Sequence, residues 1–323
     1  MVQRREVLSM GLTGAATMAS PAWAQALSDR PIQIVVPVAV GGGTDLLART
    51  LGQKVSEVLN QTVVIDNKLG AGGNIGAEFV MRAKPDGHTL LITPGTIATN
   101  VAAYRKLPYD LTKDFQAITL IGQTPSVLVV HPSVKASNVK EFAHILRSQP
   151  GILNFGSAGT GSPHHLHSEF FNQLIGGKSN HIPYKGQSQA MNDLLGGQIQ
   201  YLFSPLQNAL QQIQQGRVKA LAVASAQRST HLPQVPTFIE LGYKEMDLVH
   251  WFAVLAPANL PKPVLQKIYG AFAKVGNQVD TKDKLTNLGF ETRFTNPEQT
   301  MDFMRSELVR WARVAAYAGI QPE

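Results

Sequence analysis

The sequence predicts a two-lobed α/β protein in which each lobe is a mostly parallel sheet flanked by helices. From Pro31 onward, short β-rich runs alternate with helical stretches, which is the pattern of α/β domains. One arrangement occurs twice, at 35–45 and at 153–165, where a hydrophobic strand runs into a glycine-rich loop that opens a helix. With 323 residues, the chain is long enough for two lobes.

Residues 1–24 have the features of a signal peptide. An arginine pair at 4–5 precedes a weakly apolar stretch at 7–18, and Ala-Trp-Ala at 22–24 is the small-x-small pattern that a signal peptidase cuts. We expect cleavage after Ala24 and export to the periplasm of a host with two membranes, by the general or the twin-arginine route. An ordinary amphipathic N-terminal helix is the alternative.

Composition narrows the functional classes. The chain has no cysteine, so we expect no lipid anchor, disulfide or thiolate chemistry. No later segment has about 18 consecutive apolar residues, so no transmembrane helix is expected. The formal net charge of +7 favours anionic solutes, but the basic residues are scattered and do not form a nucleic-acid surface. The prediction is a free monomer without cofactor or nucleic-acid partner.

The first lobe opens with a predicted βαβαβ unit. Apolar β-branched residues form its first strand, and apolar residues three and four apart give the next segment one helical face. Glycine-rich and Pro-Asp-Gly turns separate the later elements. The unit consists of strand 32–38, helix 46–59, strand 62–66, helix 74–83 and strand 89–93.

Two extended stretches are interpreted as strands that cross between the lobes. The stretch 117–130 is expected to be interrupted at 123–125, because Pro125 cannot donate a ladder hydrogen bond. The stretch 248–257 is long, apolar and aromatic, and helices follow it. The predicted division is a discontinuous lobe 1 of residues 25–125 and 249–323, and a lobe 2 of residues 126–248.

The second lobe repeats the alternation of strands and helices. Asn138 is the expected N-cap of its first helix, and Ser162-Pro163 is a favourable cap and first-turn pair for the second. Its elements are helix 139–148, strand 152–155, helix 163–175, strand 181–184, helix 188–195, strand 199–203, a helix after Pro205 and strand 220–224. Helices from about 263 and over 297–318 close the chain.

The first glycine-rich loop is interpreted as an anion cradle. Unpaired amides at a helix start carry about half a positive charge, and glycines let the backbone approach a ligand. A plain tight turn is the alternative. Thr44 suits a helix cap as well as a ligand contact, and Asp45 suits the first-turn dipole better than an anion pocket. If Asp45 faces the cleft, the ligand carries an amino or hydroxyl donor. The candidate binding residues are Val40, Gly41, Gly42, Gly43, Thr44 and Asp45.

The second loop offers hydroxyl donors beside its amides. Its candidate binding residues are Ser157, Ala158, Gly159 and Thr160. His165 either binds the ligand or braces the loop. A metal site is not expected, because three histidines at 164, 165 and 167 do not share one helical face and no cysteines or clustered carboxylates support them.

Three further candidates stand where strands meet helices. Thr96 follows the last strand of the first unit, and Ser204 occupies a similar junction in the second lobe. Lys185 ends a strand and suits either a salt bridge with a second ligand carboxylate or an exposed, solvated position.

Enzyme signatures are incomplete. Ser157 and Ser162 lack the G-x-S-x-G elbow, because Phe155 and Thr160 occupy its first glycine position. Asn172 replaces a glycine that a P-loop needs, and the run 70–76 misses G-x-G-x-x-G by one residue. A non-catalytic protein is expected. The alternative is an exported serine hydrolase that uses Ser157 or Ser162 with a neighbouring histidine.

At these residues the chain resembles the Bug family, the TctC-like periplasmic receptors of tripartite tricarboxylate transporters. The resemblance extends over essentially the whole mature chain. It rests on the ordered occurrence of VPVAVGGGTD, NKLGAGGNIGA, KPDGHTLL, LPYDLTKDF, NFGSAGTGSPHHL, HIPYKG, DLLGGQI and LPQVPTFIELG.

The resemblance implies a type II periplasmic-binding-protein fold, with one ligand carboxylate held between two loops and by ordered water. Carried over by position, the binding residues come from 40–45 and 157–160. The ligand would be a di- or tricarboxylate, an acidic amino acid or an aromatic acid, delivered to membrane transporter subunits. A solute sensor with a signalling partner is an alternative.

This chain departs from the family pattern at two places. The family commonly shows an aromatic residue and a proline where this chain has Val38 and Val40, and Arg-Pro where it has Lys68-Leu69. Loss of the aromatic residue would widen the pocket, so the ligands of the family do not transfer to this chain by default.

Overall fold

The computed structural model describes residues 29–317 and Gly319, without the side chains of Ala102 and Ala103. The predicted signal peptide lies outside this range. Among the residues described, no helix is both long and apolar enough to span a bilayer.

Strands and helices alternate along the described chain. The strands are β1 Ile32–Val36, β2 Val63–Asn67, β3 Thr89–Pro94, β4 Phe115–Val130, β5 Asn154–Ser157, β6 Asn180–Pro183, β7 Tyr201–Pro205, β8 Lys219–Ala224, β9 Val249–Pro257 and β10 Glu291–Thr292. The α-helices are α1 Gly43–Leu59, α2 Asn74–Met81, α3 Thr96–Ala103, α4 Val139–Ser148, α5 Pro163–Ile175, α6 Gln187–Leu195, α7 Leu206–Gln214, α8 Lys262–Asn277, α9 Val279–Asn287 and α10 Pro297–Tyr317. A single 3₁₀ turn, Ala71–Gly73, precedes α2.

The first sheet has the order β2-β1-β3-β9-β4. Strands β1, β2 and β3 are parallel, whereas β9 runs antiparallel to both β3 and β4. The short β10 pairs antiparallel with β4 at Gly122 and Gln123. The three parallel strands end at one edge of this sheet, where the first glycine-rich loop and α3 begin.

The second sheet has the order β4-β7-β5-β6, with β8 also paired to β4. Strands β5, β6 and β7 are parallel, and the last five residues of β4 pair antiparallel with β7 and β8. Strand β4 therefore belongs to both sheets and links the two lobes.

Apolar cores pack around the two sheets. Ile34 of β1 shares one apolar core with Leu51 of α1 and Phe272 of α8. A second core, which includes Phe171 of α5, extends beside the crossing strands to Trp251 and Trp311. Helix α10 packs against α3, β4 and α5, so it contacts elements of both lobes.

A buried carboxylate fixes the two tryptophans. Glu307 is 1% exposed, and its Oε2 accepts hydrogen bonds from Trp251 Nε1 at 2.9 Å and Trp311 Nε1 at 3.0 Å. Gly95 packs against the Trp251 indole, because a Cβ at residue 95 would lie 2.8 Å from Trp251 Nε1. The β3–α3 junction therefore needs glycine for close packing.

The predicted two-lobed α/β architecture is confirmed, and most of its elements are found. Helices α4 and α5 have the predicted bounds, because Asn138 and Ser162 accept their N-cap hydrogen bonds. The expected interruption of the first crossing strand is wrong. Pro125 lies within β4, where the strand passes from one sheet to the other. The lobe boundaries at 125/126 and 248/249 stay a prediction.

Candidate ligand-binding cleft

The carboxyl ends of the parallel strands place the candidate residues. Strands β1 and β3 end beside the first loop and α3, and strands β5, β6 and β7 end at the starts of α5, α6 and α7. Ligands of open α/β sheets bind beyond such ends. The two edges meet, because a Cβ on Gly43 would lie 3.0 Å from Gln207 Nε2 and 3.4 Å from Asn208 Oδ1.

The first loop presents its backbone at the start of α1. Gly42 is the N-cap and makes no side-chain cap bond, and Gly41 has a φ of +82° that favours glycine. Val40 is 68% exposed at the tip of the loop. Thr44 is buried in the first turn of α1, so its expected role as the helix cap is wrong. Gly42 is the cap instead, and the helix begins at Gly43, three residues before the predicted start at 46.

Asp45 braces this loop from inside. Its Oδ2 accepts hydrogen bonds from Gly41 N at 2.9 Å and Arg49 Nε at 3.0 Å, and its Oδ1 accepts one from Asn67 Nδ2 at 2.9 Å. Burial alone would raise the pKa of Asp45, but bonds from Arg49, Gly41 and Asn67 together lower it. Both carboxylate oxygens are engaged within the protein, which favours the structural role over contact with a ligand.

The second loop is held by its hydroxyl groups. Ser157 is fully buried, its Oγ accepts a hydrogen bond from Gly159 N at 3.1 Å, and it lies 2.6 Å from His181 Nε2. Ser162 caps α5 and donates to Gly159 O at 2.6 Å. Gly159 has a φ of +111°. Thr160 is exposed and Ala158 is half-buried at the opening of the loop.

Two stacked histidines support the second loop. His165 Nδ1 accepts a hydrogen bond from Gly161 N at 3.1 Å, and its ring lies 3.9 Å from that of His181. Burial lowers the pKa of His165 to about 4, and burial with the neighbouring His165 lowers that of His181 to about 3. Both rings are neutral at pH 7. Of the two roles expected for His165, the geometry favours bracing.

The Ser157–His181 pair has the spacing of a nucleophile and its base. A hydrolase also needs a basic imidazole and a group that orients it. The pKa of His181 is about 3, and within residues 29–317 no carboxylate hydrogen-bonds its ring. The geometry therefore gives the serine-hydrolase alternative little support at Ser157, and Ser162 is engaged as the α5 cap.

The three junction residues differ in exposure. Thr96 is half-buried at the start of α3, whereas Ser204 is fully buried and donates its hydroxyl to Pro205 O at 3.0 Å. Lys185 is exposed, with its backbone N–H bonded to Gln189 Oε1 at 3.2 Å. Ser204 thus lies inside the sheet, while Lys185 has the solvated position that was one of its two expectations.

Polar groups that sequence reasoning missed stand at the same edge. His164, Gln187 and Gln207 have buried side-chain atoms without a hydrogen-bond partner among the described residues. Their position in the first turn after a strand is the signal that could have found them. No group of three or more His, Asp or Glu residues in the described chain could hold a metal ion.

Comparison with known proteins places the chain in a family. A family model described as "Tripartite tricarboxylate transporter family receptor" matches residues 47–320. The chain is 34% identical to protein BugT of Bordetella pertussis over 306 residues, which are 94% of each chain.

Solved structures agree with this match. The periplasmic binding protein BugD is 34% identical, with a TM-score of 0.84 over 91% of this chain and 99% of that chain. An R. palustris protein solved with adipate is 32% identical, with a TM-score of 0.87 over 92% of this chain and 99% of that chain. The chain therefore has the two-lobed fold of periplasmic binding proteins and belongs to the family of tripartite tricarboxylate transporter receptors.

Proposed function

We propose that this protein is a non-catalytic receptor that grips a small organic carboxylate between its two glycine-rich loops. The carrying observation is that α1 and α5, one from each lobe, both start at a sheet edge behind a glycine-rich loop, with positive φ at Gly41 in the first loop and at Gly159 in the second. Helix starts of this kind favour anions through free amides and the helix dipole. The ligand-binding residues proposed are 40–44 and 157–160, with Thr96 and Lys185 at the margin.

The relatives support a carboxylate. The family is named for tricarboxylate transport, and the R. palustris relative was solved with adipate. Three or four charge-assisted hydrogen bonds of about 1.5 to 3 kcal/mol each, less desolvation and association costs, are compatible with micromolar binding at about −8 kcal/mol. Ligand binding would shift the population toward closed lobes, which present a surface to membrane subunits of the transporter.

The proposal includes a cellular location. We infer export to the periplasm by the general or twin-arginine route, cleavage after Ala24, and a free monomer that meets its transporter subunits at the membrane. The leader composition and the periplasmic relatives support this. N-terminal sequencing of the secreted protein tests the cleavage site.

A ligand screen tests the receptor. The mature protein, refolded to remove carried-over ligand, is heated with a panel of carboxylates, amino acids and neutral sugars. A saturable rise in Tm with one class of carboxylate is expected, because ligand at about 100 times its Kd adds roughly 2.7 kcal/mol to stability. A response to neutral sugars alone, or to nothing in the panel, counts against the receptor.

A further inference from the structure

Three side chains occupy equivalent positions on three neighbouring strand–helix units of the second lobe. His164, Gln187 and Gln207 lie in the first turns of α5, α6 and α7, which follow β5, β6 and β7. These strands are parallel neighbours in the order β7-β5-β6. Adjacent strands are about 4.8 Å apart, so the three strand ends span roughly 10 Å of one sheet edge.

Most of their side-chain polar atoms are buried without a hydrogen-bond partner in the described part of the chain. Both ring nitrogens of His164, both amide atoms of Gln187 and Oε1 of Gln207 are buried and bond no other group among residues 29–317. His164 is 7% exposed. Ser157 on the neighbouring loop is hydrogen-bonded internally. A buried polar atom without a hydrogen-bond partner is unfavourable, so several at one edge indicate a site for an external group.

This edge faces the first loop. Gln207 lies against α1, because a Cβ on Gly43 would come within 3.2 Å of its Cγ. It also lies against Gly289, where a Cβ would be 3.1 Å from Gln207 Cα. A ligand carboxylate at the start of α1 would therefore lie beside Gln207, which stands at one end of this row of strand ends.

The chemistry of the three side chains is uncharged. The two glutamines are neutral, and burial lowers the pKa of His164 to about 4. Gln187 Nε2 and the N–H of the neutral His164 ring need an acceptor, whereas the unpartnered Oε1 atoms of Gln187 and Gln207 need an N–H or O–H donor, so a group that both donates and accepts satisfies the set. A carboxylate offers no proton to them, and its desolvation beside neutral groups is costly.

We propose that His164, Gln187 and Gln207 form a neutral subsite for the far end of the ligand. The preferred ligand is then an acid with one carboxylate and an uncharged hydrogen-bonding group, an amide or hydroxyl, at its other end. This inference rests on the proposed function, because the first carboxylate must be held by the two loops.

Matched ligands test the proposal by calorimetric titration. Adipate and succinate are compared with their monoamides, which keep the length and replace one carboxylate. The monoamides are expected to bind at least tenfold more tightly, equivalent to about 1.4 kcal/mol. Equal or tighter binding of both diacids overturns the subsite.

Variants provide a second readout. Gln187→Met and Gln207→Met keep side-chain length and remove the amide, so each is expected to weaken monoamide binding about tenfold and to narrow its advantage over the diacid. Because neither amide hydrogen-bonds another group within residues 29–317, the Tm of the ligand-free protein should stay unchanged or rise. Gln214→Met, exposed at the end of α7, is the matched control and should alter neither quantity. A fall in ligand-free Tm with unchanged affinity would make the amides structural and overturn the proposal.

The outcomes separate this inference from the receptor itself. If diacids bind and neither glutamine variant changes any affinity, the receptor stands and the neutral subsite is wrong. If no acid of either series and no carboxylate of the screening panel binds, the proposed function fails and the subsite fails with it.

Discussion

A valine at Gly42 should abolish ligand binding and leave the fold intact. Gly42 has φ −75° and ψ 165°, which suit any residue, and a Cβ there meets Ala39 O at 3.4 Å, an ordinary contact. Valine is a poorer N-cap than glycine, but it also restricts the unfolded chain, so the net change in stability should stay within about 1 kcal/mol. For a protein of this size the Tm then shifts by roughly 2 to 4 °C.

Binding should change far more than stability. The valine side chain would stand between the ligand and the first amides of α1. Loss of two charge-assisted hydrogen bonds costs about 3 to 6 kcal/mol, which is at least a hundredfold in Kd. Titration with the acid identified in the screen measures this change. Gly270→Val is the control, because Gly270 lies in α8 and an added Cβ would have no atom of the described residues within 4 Å.

A Gly42→Val protein that binds within threefold of the parent would refute the role of the α1 amides. The equivalent change in the second loop is less informative. Gly159 has a φ of +111°, so a valine there is strained whatever the ligand does. Loss of binding in Gly159→Val could then follow from misfolding.

Three other substitutions test the structural roles of buried groups. Asp45→Asn should reduce stability at pH 7, because the pKa of Asp45 is lower in the folded protein than its unfolded value of 3.8. The ionised carboxylate therefore stabilises the fold above pH 3.8, and this stabilisation is lost as the pH falls through the folded-state pKa. The Tm difference from the parent should accordingly shrink in acid, and a pH-independent difference would contradict the bracing role. Gly95→Ala should cost about 1 to 3 kcal/mol by urea unfolding, because the new Cβ overlaps the Trp251 indole; an unchanged midpoint would mean that the indole moves freely. Ser157→Ala should lower the free energy of unfolding by about 1 kcal/mol, because the hydrogen bonds of Ser157 to His181 and Gly159 are lost. Neither the parent nor this variant should hydrolyse an activated ester above the background rate. Turnover of an activated ester that disappears in this variant would restore the hydrolase alternative.

Local signals in the sequence were sufficient for most elements. Side-chain caps at Asn138 and Ser162 define the starts of α4 and α5, and glycine-rich turns mark both loops. Helices α3 and α9 were not predicted, because α3 is short and rich in β-branched residues and α9 is mostly polar. The short β10 depends on pairing with the distant Gly122 and Gln123.

The sequence predicted which loops form the site, but not the contacts that hold those loops in place. The glycines and hydroxyls of the loops follow from sequence, since strand, loop and helix are consecutive. The contact of Ser157 with His181 and the bracing of Asp45 by Asn67 join residues far apart in the chain, so no local pattern announces them. The unpartnered amide of Gln187 becomes visible when burial and hydrogen bonds are known.

The sharing of β4 between two sheets governs the order in which the chain can fold. Strand β9 lies between β3 and β4, and it pairs Leu91 with Leu255 across much of the sequence. The first sheet therefore cannot close until β9 has been synthesised, whereas β4 to β8 supply every strand of the second sheet earlier. Contacts of such long sequence separation slow folding. The first lobe, whose strands begin earlier in the chain, is thus expected to complete its folding last, by pairing with the second sheet that has already formed.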